Sequence, residues 1–214
     1  MNRFWQFLKE NGFYMLGTTL TEQWTSLVRN HQIARRLGVN KIHIGPRAHL
    51  RGLSSIEMGE DFRAGDELWL EAITKYDEQV FSPRIVIGQH VRISHFVHIA
   101  ATNFVEIGDH VLMGSKVMIT DHNHGQYSGE QHSSPHIAPP LRLLDHARRT
   151  VIGRNVWLGD GVVVTAGASI GEGSVIGANS VVLGGIPPFV IAAGIPATVR
   201  KTFNFDTGKW CNVQ

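Results

Sequence analysis

Aliphatic residues recur at every sixth position over much of the chain. They are Ile87, Ile93 and Ile99, then Ile107, Met113 and Ile119, then Ile152, Leu158, Val164, Ile170, Ile176 and Val182. Small and polar residues fill the intervals, and Gly follows many of the aliphatics directly, at Gly88, Gly108, Gly114, Gly153, Gly159, Gly171 and Gly177. A period of six is neither strand alternation nor the helical 3.6, so it predicts a repeat architecture. A few extended residues and a corner, taken three times, make a triangular coil of 18 residues. Coils stacked about 4.8 Å apart pair each short strand with the one above. On this reading Gly supplies corners that need positive φ. Ile152 stacks on Ile170, Leu158 on Ile176 and Val164 on Val182, with the small residues Ala168, Ser174 and Ser180 also inside. The open ends of such a stack are strand edges and need caps.

The interruptions divide the chain. Leu16, Leu20, Trp24, Leu27 and Val28 form a helical stripe, and Gly38 is its stop. Residues 1–40 therefore read as an N-terminal helical cap. Phe4, Trp5, Phe7 and Leu8 add the alternative of peripheral membrane contact through the N-terminus. Hexads begin raggedly at Ile44, with a two-residue insertion between Leu50 and Met58, and residues 74–84 read as a loop or irregular coil. The repeat body spans 41–186. Within it, 121–150 is a polar excursion of 30 residues that carries Pro135, Pro139 and Pro140. Residues 187–214 read as a closing C-terminal cap.

Composition narrows the classes. The 214 residues give one sizeable core, and 23 Gly without a triplet repeat suit many tight corners. A net charge of +2 with no long Lys/Arg cluster argues against nucleic acid as partner. Cys211 is the only cysteine, which favours a cytoplasmic location over a secreted one, and no apolar run is long enough to span a membrane.

Four stretches of sequence carry a resemblance. They are IGDHVLMGSKVMITDHNHG from Ile107, VIGRNVWLGDGVVVTAGASIGEGSVIGANSVV from Val151, IPPFVIAAGIPATVRK from Ile186, and FDTGKW from Phe205. Together they resemble the hexapeptide-repeat acyltransferases, including the maltose and galactoside acetyltransferases. The His-Asn-His-Gly form and the FDTGKW tail look most like enzymes that O-acetylate bacterial capsule or O-antigen sugars. The resemblance implies an all-β, left-handed parallel β-helix, acting as a homotrimer with active sites between subunits. It also implies acetyl-CoA as co-substrate, a carbohydrate acceptor and no metal.

Moving acetyl from a thioester to a hydroxyl requires a base for the hydroxyl proton, and histidine is suited to it. Asp121-His122-Asn123-His124 stands where the hexads stop. The match of Thr120-Asp121-His122 to the family motif makes His122 the general base, with His124 as the alternative. Asp121 is either an acceptor contact or an imidazole-orienting group, although neighbours on a strand point to opposite faces. Asn103 and His124 are further candidate acceptor contacts. By resemblance, Trp157 and Gly159 flank the acetyl-CoA arm, and the Asp160 backbone N–H faces the thioester carbonyl. By the same resemblance Ala178 would keep the wall low where the pantetheine runs, and Arg200 and Lys201 either meet the phosphates or are solvated tail charges. Leu183-Gly184 stands where many relatives have Thr-Lys, which puts more weight on Arg200 and Lys201. Arg142, His146, Arg148 and Arg149 form a basic set that faces either an acidic acceptor or solvent.

A non-catalytic scaffold whose β-helix only binds partners is one rival reading, and two others remain. One is N-acetylation of a nucleotide-linked amino sugar. The other is a zinc enzyme like the γ-class carbonic anhydrases, suggested by the spacing of His90 and His95 in a chain with 12 His.

Overall fold

The computed structural model describes Trp5, Lys9, residues 24–146 and residues 148–213. Short strands stack into three parallel walls of a triangular prism, the left-handed β-helix of the hexapeptide proteins. The first wall runs through Ile42–Ile44, Phe62–Ala64, Arg92–Ile93, Leu112–Met113, Trp157–Leu158, Val175–Ile176 and Val190–Gly194. The second runs through His49–Arg51, Trp69–Ala72, His98–Ala101, Met118–Thr120, Val163–Val164 and Val181–Val182. The third runs through Ile56–Met58, Arg84–Ile87, Phe104–Ile107, Arg149–Ile152, Ser169–Ile170 and Gly185–Ile186.

The register follows the hexads. Ile152 pairs with Ile170, Leu158 with Ile176 and Val164 with Val182. The 30-residue excursion leaves the stack unbroken, because Ile107 still pairs with Ile152 and Met113 with Leu158. These side chains point inward and are buried, as are Ala168, Ser174 and Ser180. Each buried aliphatic contributes on the order of 1.5–3 kcal/mol, so the column along the prism axis drives folding.

The glycines have another purpose than the one expected. Many corners turn at non-Gly residues with positive φ, among them Asp61, His90, His110, Asn155 and Asn179. The Gly after each inward aliphatic is needed for close approach between coils. A Cβ on Gly108 would lie 2.5 Å from the Arg154 backbone nitrogen. Gly108→Ala therefore forces two backbones apart and is expected to cost about 1–3 kcal/mol. Thermal unfolding should show a midpoint several degrees lower, by roughly 2–4 °C per kcal/mol; an unchanged midpoint would show that the coils separate freely.

A helix over 24–37 closes the lower end. Arg29 donates to the carbonyls of Ile44 and Gly45, and Asn30 donates to Ile44 as well, so the helix satisfies edge groups of the first strand. Gly38 ends it at φ 70°, with the Val39 N–H donating to the Ala34 carbonyl. The buried face is Asn30, Ile33 and Ala34. The apolar stripe is not the face that docks on the prism of the same chain: Trp24 is 71% and Leu27 67% exposed. The docking face was chosen by polar edge groups, which a count of apolar positions does not register. Leu16 and Leu20 lie outside the described residues, as does the N-terminal apolar segment apart from an exposed Trp5.

Residues 74–84 also differ from expectation. Lys75–Tyr76 and Gln79–Val80 form a small antiparallel hairpin. It exists to brace the excursion. The Gln79 side chain bonds both the N–H and the carbonyl of Leu144, Tyr76 Oη donates to the Pro140 carbonyl, and Phe81 packs on His146. At the other end, Ala197–Asn204 and Lys209–Asn212 add two antiparallel strands to the first wall. Among the described residues no helix is long and apolar enough to cross a membrane.

Candidate active site

The second wall's strand Met118–Thr120 ends at a bend, and the chain leaves the prism at the edge shared with the third wall. The bend cancels strand alternation, so Asp121 and His122 meet after all. His122 Nδ1 lies 2.9 Å from Asp121 Oδ1 and 3.0 Å from Thr120 Oγ1. Asp121 also accepts hydrogen bonds from the backbone N–H groups of Thr102 (2.9 Å), Asn103 (2.7 Å) and Phe104 (2.7 Å). Those three lie one coil below, in the stretch between Ile99 and Ile107 where the six-residue spacing widens to eight.

Asp121 has 0% exposure. Burial by itself raises its pKa, but the hydrogen bonds from His122, Thr102 and Asn103 outweigh burial and hold the carboxyl below its ordinary range. An ionised carboxylate at 2.9 Å draws the imidazole proton to Nδ1. Nε2 then carries the lone pair. No hydrogen-bond partner meets Nε2 among the described residues, and the His122 side chain is 12% exposed. The result is an imidazole fixed in orientation and tautomer and partly accessible. As an acceptor contact Asp121 is corrected: it has no surface for a sugar to reach, and its position suits orientation of the imidazole.

His124 is used differently. It sits in the short ladder Asn123–His124 with Leu144–Asp145, and its ring packs edge-on against Tyr76 at 5.2 Å. Its Nδ1 lies 3.4 Å from Tyr76 Oη. Asn103, half-buried, donates through Nδ2 to the Arg148 carbonyl and ties the end of the excursion to the coil below. The basic residues of the excursion do not converge on an anion site. Arg142 bonds Tyr127 Oη and the Ile137 carbonyl, Arg148 bonds Asp145 and Ser128, and Arg149 stacks on Phe104 at 4.0 Å. His146 packs on Phe81.

The second half of the predicted site lies on the first wall and on its edge with the second. Trp157 points outward from the first wall and is 51% exposed. At the edge, successive coils place Ser115, Asp160 and Ala178 in one column. The Ser115 N–H donates to Asp160 Oδ1 at 2.6 Å. One coil higher the equivalent position is Ala178, whose backbone covers Gly159 and which has no side-chain acceptor. The Asp160 N–H therefore has no acceptor among the described residues, as an oxyanion donor requires.

Above Ala178 the column reaches Gly194. The Arg200 guanidinium would lie 3.4 Å from a Cβ there. Arg200 occupies a β-bulge, between Lys201 paired with Ile191 and Val199 paired with Ala192. A bulge re-aims a side chain. Lys201 stands in the Trp157 column, through Val175 and Ile191, three strand steps or about 14 Å away. The edge column and the wall column thus run in parallel from a free N–H and an indole to two exposed cations.

The two halves are not together in one chain. His122 stands at the edge of the second and third walls, Asp160 at the edge of the first and second, and Val163 of the second wall lies between them. His90 and His95 do not converge either. His90 stacks on His110 at one edge, while His95 Nδ1 accepts the Asp66 N–H at another. Thr102 and Tyr76 were not foreseen as parts of the site. Thr102 had a signal in the break of its coil, whereas Tyr76 had none, because its partner is 48 positions away.

Comparison with known proteins agrees with this architecture. The family of bacterial transferase hexapeptide (six repeats) matches residues 149–184. WbbJ of Escherichia coli (strain K12), assigned by its name to lipopolysaccharide biosynthesis as an O-acetyl transferase, is 42% identical over 163 residues. That match covers 76% of this chain and 79% of WbbJ. The galactoside O-acetyltransferase of the same organism is 32% identical, over 65% of this chain and 63% of its own. A solved galactoside acetyltransferase in complex with coenzyme A superposes with a TM-score of 0.53 at 26% identity, over 82% of this chain and 70% of that one. AntD, an N-acyltransferase from Bacillus cereus, superposes with a TM-score of 0.61 over 79% of this chain and 84% of its own; at 16% identity it shares the fold. Hexads in register, the His motif at the interruption and these relatives have one meaning: the chain belongs to the hexapeptide-repeat acyltransferases.

Proposed function

We propose that the protein is an acetyl-CoA-dependent O-acetyltransferase that acts on a hydroxyl of a bacterial surface polysaccharide sugar, of capsule or O-antigen type. The observation that carries the reading is the Asp121–His122 pair, with the carboxylate on Nδ1 and Nε2 left open. His122 Nε2 takes the hydroxyl proton as the sugar oxygen attacks the thioester carbonyl carbon. The Asp160 N–H receives the charge that develops on the carbonyl oxygen. The carbon–sulfur bond then breaks, and the proton passes from His122 to the departing thiolate. No covalent acetyl-enzyme is needed. The 42% identity to WbbJ supports a surface-polysaccharide acceptor.

The separation of His122 from Trp157 and Asp160 favours a homotrimer in which the base of one subunit works against the first wall of its neighbour. The acetyl-CoA arm would run from Asp160 past the low step at Ala178 and Gly194, with its phosphates at Arg200 and Lys201. Arg200→Ala should raise the KM for acetyl-CoA by about tenfold, the loss of one charge-assisted contact, with little change in kcat. An unaltered KM would remove Arg200 from the coenzyme site.

The test of the reading is a screen of acetyl-CoA consumption against surface oligosaccharides and nucleotide-linked amino sugars. The product is then treated with mild alkali, which cleaves an ester and spares an amide. Alkali-labile acetylation of an oligosaccharide supports the proposal. An alkali-stable product on an amino sugar would replace it with N-acetylation.

A further inference from the structure

The helix over 24–37 carries a second face that the prism does not use. At about 100° per residue, Trp24, Leu27, Val28, His31 and Arg35 fall on the side opposite the docked Ile33. Arg29 and Asn30, which hold the helix to the first strand, point the other way. Trp24, Leu27 and Val28 are each at least half exposed, and with His31, Gln32 and Arg35 they line one shallow groove. Large apolar side chains grouped together in water mark a surface that meets something else.

The same end of the prism is its basic pole. Six of the chain's 20 Lys and Arg fall within residues 24–55, the helix and the first coil, and none of its 18 Asp and Glu does. Lys41, Arg47 and Arg51 lean on acids of the coil above, Asp61, Glu67 and Glu71. Arg35 and Arg36 stand exposed on the helix itself and enter none of the ion pairs among the described residues. A second copy stacked end to end on this face would bring like charges together, with no acid on either helix to offset them. A neighbour beside the prism would meet its walls rather than its end.

We infer that this face is a docking surface for an anionic lipid bilayer, on which the helix lies with Trp24, Leu27 and Val28 at the boundary between headgroups and acyl chains. A helix with Trp and Leu on one side and cations along its flank has the composition of an interfacial segment. An indole suits the level of the headgroups. Arg35 can bury its methylenes and keep its guanidinium among the lipid phosphates. Each cation near an anionic surface adds to the attraction, and salt weakens it. The helix lies on the bilayer and does not cross it, since among the described residues no helix is long and apolar enough. In the side-by-side homotrimer proposed above, three such faces share one side of the molecule and add avidity. The docking itself does not depend on the acetyl-transfer reading.

The test uses the full-length protein and sedimentation with vesicles of phosphatidylcholine, alone or with about one-third phosphatidylglycerol. The wild type should sediment with the anionic vesicles, less so in high salt, and hardly at all with phosphatidylcholine alone. Trp24→Gln combined with Leu27→Gln should weaken binding about tenfold or more. Arg35→Gln combined with Arg36→Gln should weaken it about tenfold and flatten its salt dependence. The unfolding midpoint, the oligomer mass by light scattering and the coenzyme A affinity by calorimetry should match wild type in both variants. No binding to anionic vesicles, or binding unaffected by Trp24→Gln with Leu27→Gln, would overturn the inference. A changed oligomer mass in that variant would give the face to a second copy, and a markedly lower unfolding midpoint would give it to a segment of the same chain. Either result also overturns the inference. Vesicle binding without acetylation of any sugar leaves the docking surface standing and removes the proposed reaction.

Discussion

His122→Ala lowers kcat for acetyl transfer by about 10²- to 10⁴-fold, the range of a positioned general base, and leaves the KM for acetyl-CoA close to wild type. The expectation rests on geometry: among the histidines described at the interruption, His122 is the one whose Nδ1 is committed to a buried carboxylate, Asp121, and to Thr120, which directs the lone pair to Nε2. His124 is held differently: its ring lies edge-on to Tyr76, and no carboxylate among the described residues bonds it to fix its tautomer. Steady-state kinetics with the acceptor found in the screen measures the effect. A kcat within a few-fold of wild type would remove His122 from the chemistry. A subunit-mixing experiment adds an independent reading. Chains carrying His122→Ala and chains carrying Trp157→Ala, co-expressed, should form mixed trimers more active than either parent. In such a trimer one cleft can combine an intact His122 with an intact Trp157 from the neighbour. Failure to exceed the parents would place both residues in the same subunit's site.

Asp121→Asn has the second largest effect, on rate and on stability together. An amide accepts less strongly from Nδ1–H. Its NH₂ group also faces the N–H groups of Thr102, Asn103 and Phe104 that the carboxylate now satisfies. Loss of the tautomer that leaves Nε2 open should lower kcat by roughly 10²- to 10⁴-fold. The stability effect has a definite pH signature. The native carboxyl is held below its ordinary value, while the unfolded chain returns it to about 3.9. Ionised Asp121 therefore contributes its full stabilisation above the unfolded pKa. That contribution declines as pH falls and is gone below the native pKa. Urea unfolding from neutral pH down through the carboxylate range should show wild type losing more stability than Asp121→Asn, which keeps the other depressed carboxylates, Asp61 among them. Parallel pH profiles would mean that the Asp121 carboxyl titrates alike in the native and unfolded states.

The two variants probe features that differ in how far they can be read from the chain. The position of His122 is local information, because the hexads stop after Ile119 and the next strong one begins at Ile152. The relation of Asp121 to His122 is not. Alternation along a strand separates them, and only the bend after Thr120, stabilised by three backbone donors from the coil below, turns both inward to one another. The helix over 24–37 teaches a similar lesson. Its apolar stripe pointed to one face, but Arg29 and Asn30 dock another against the edge carbonyls of the first strand.

The amino-acid sequence by itself determined the coil. A side-chain period of six, once folded into three-sided turns, fixes which aliphatics stack, and Ile152 over Ile170 or Val164 over Val182 follows from counting along the chain. It also determined where the coil must break. Only the tertiary structure decided why Gly108 must be Gly, since the conflict is with a backbone 46 positions on. Only it decided that the hairpin at 75–80 braces the excursion, that Asp121 holds His122, and that, with Ala178 one coil above, the Asp160 N–H has no acceptor among the described residues. It also set His122 and Asp160 on different edges of the prism. The physical reason is the same in each case: the repeat is written in spacings along one chain, whereas the site is made of contacts between coils, and those depend on what the neighbouring coil presents.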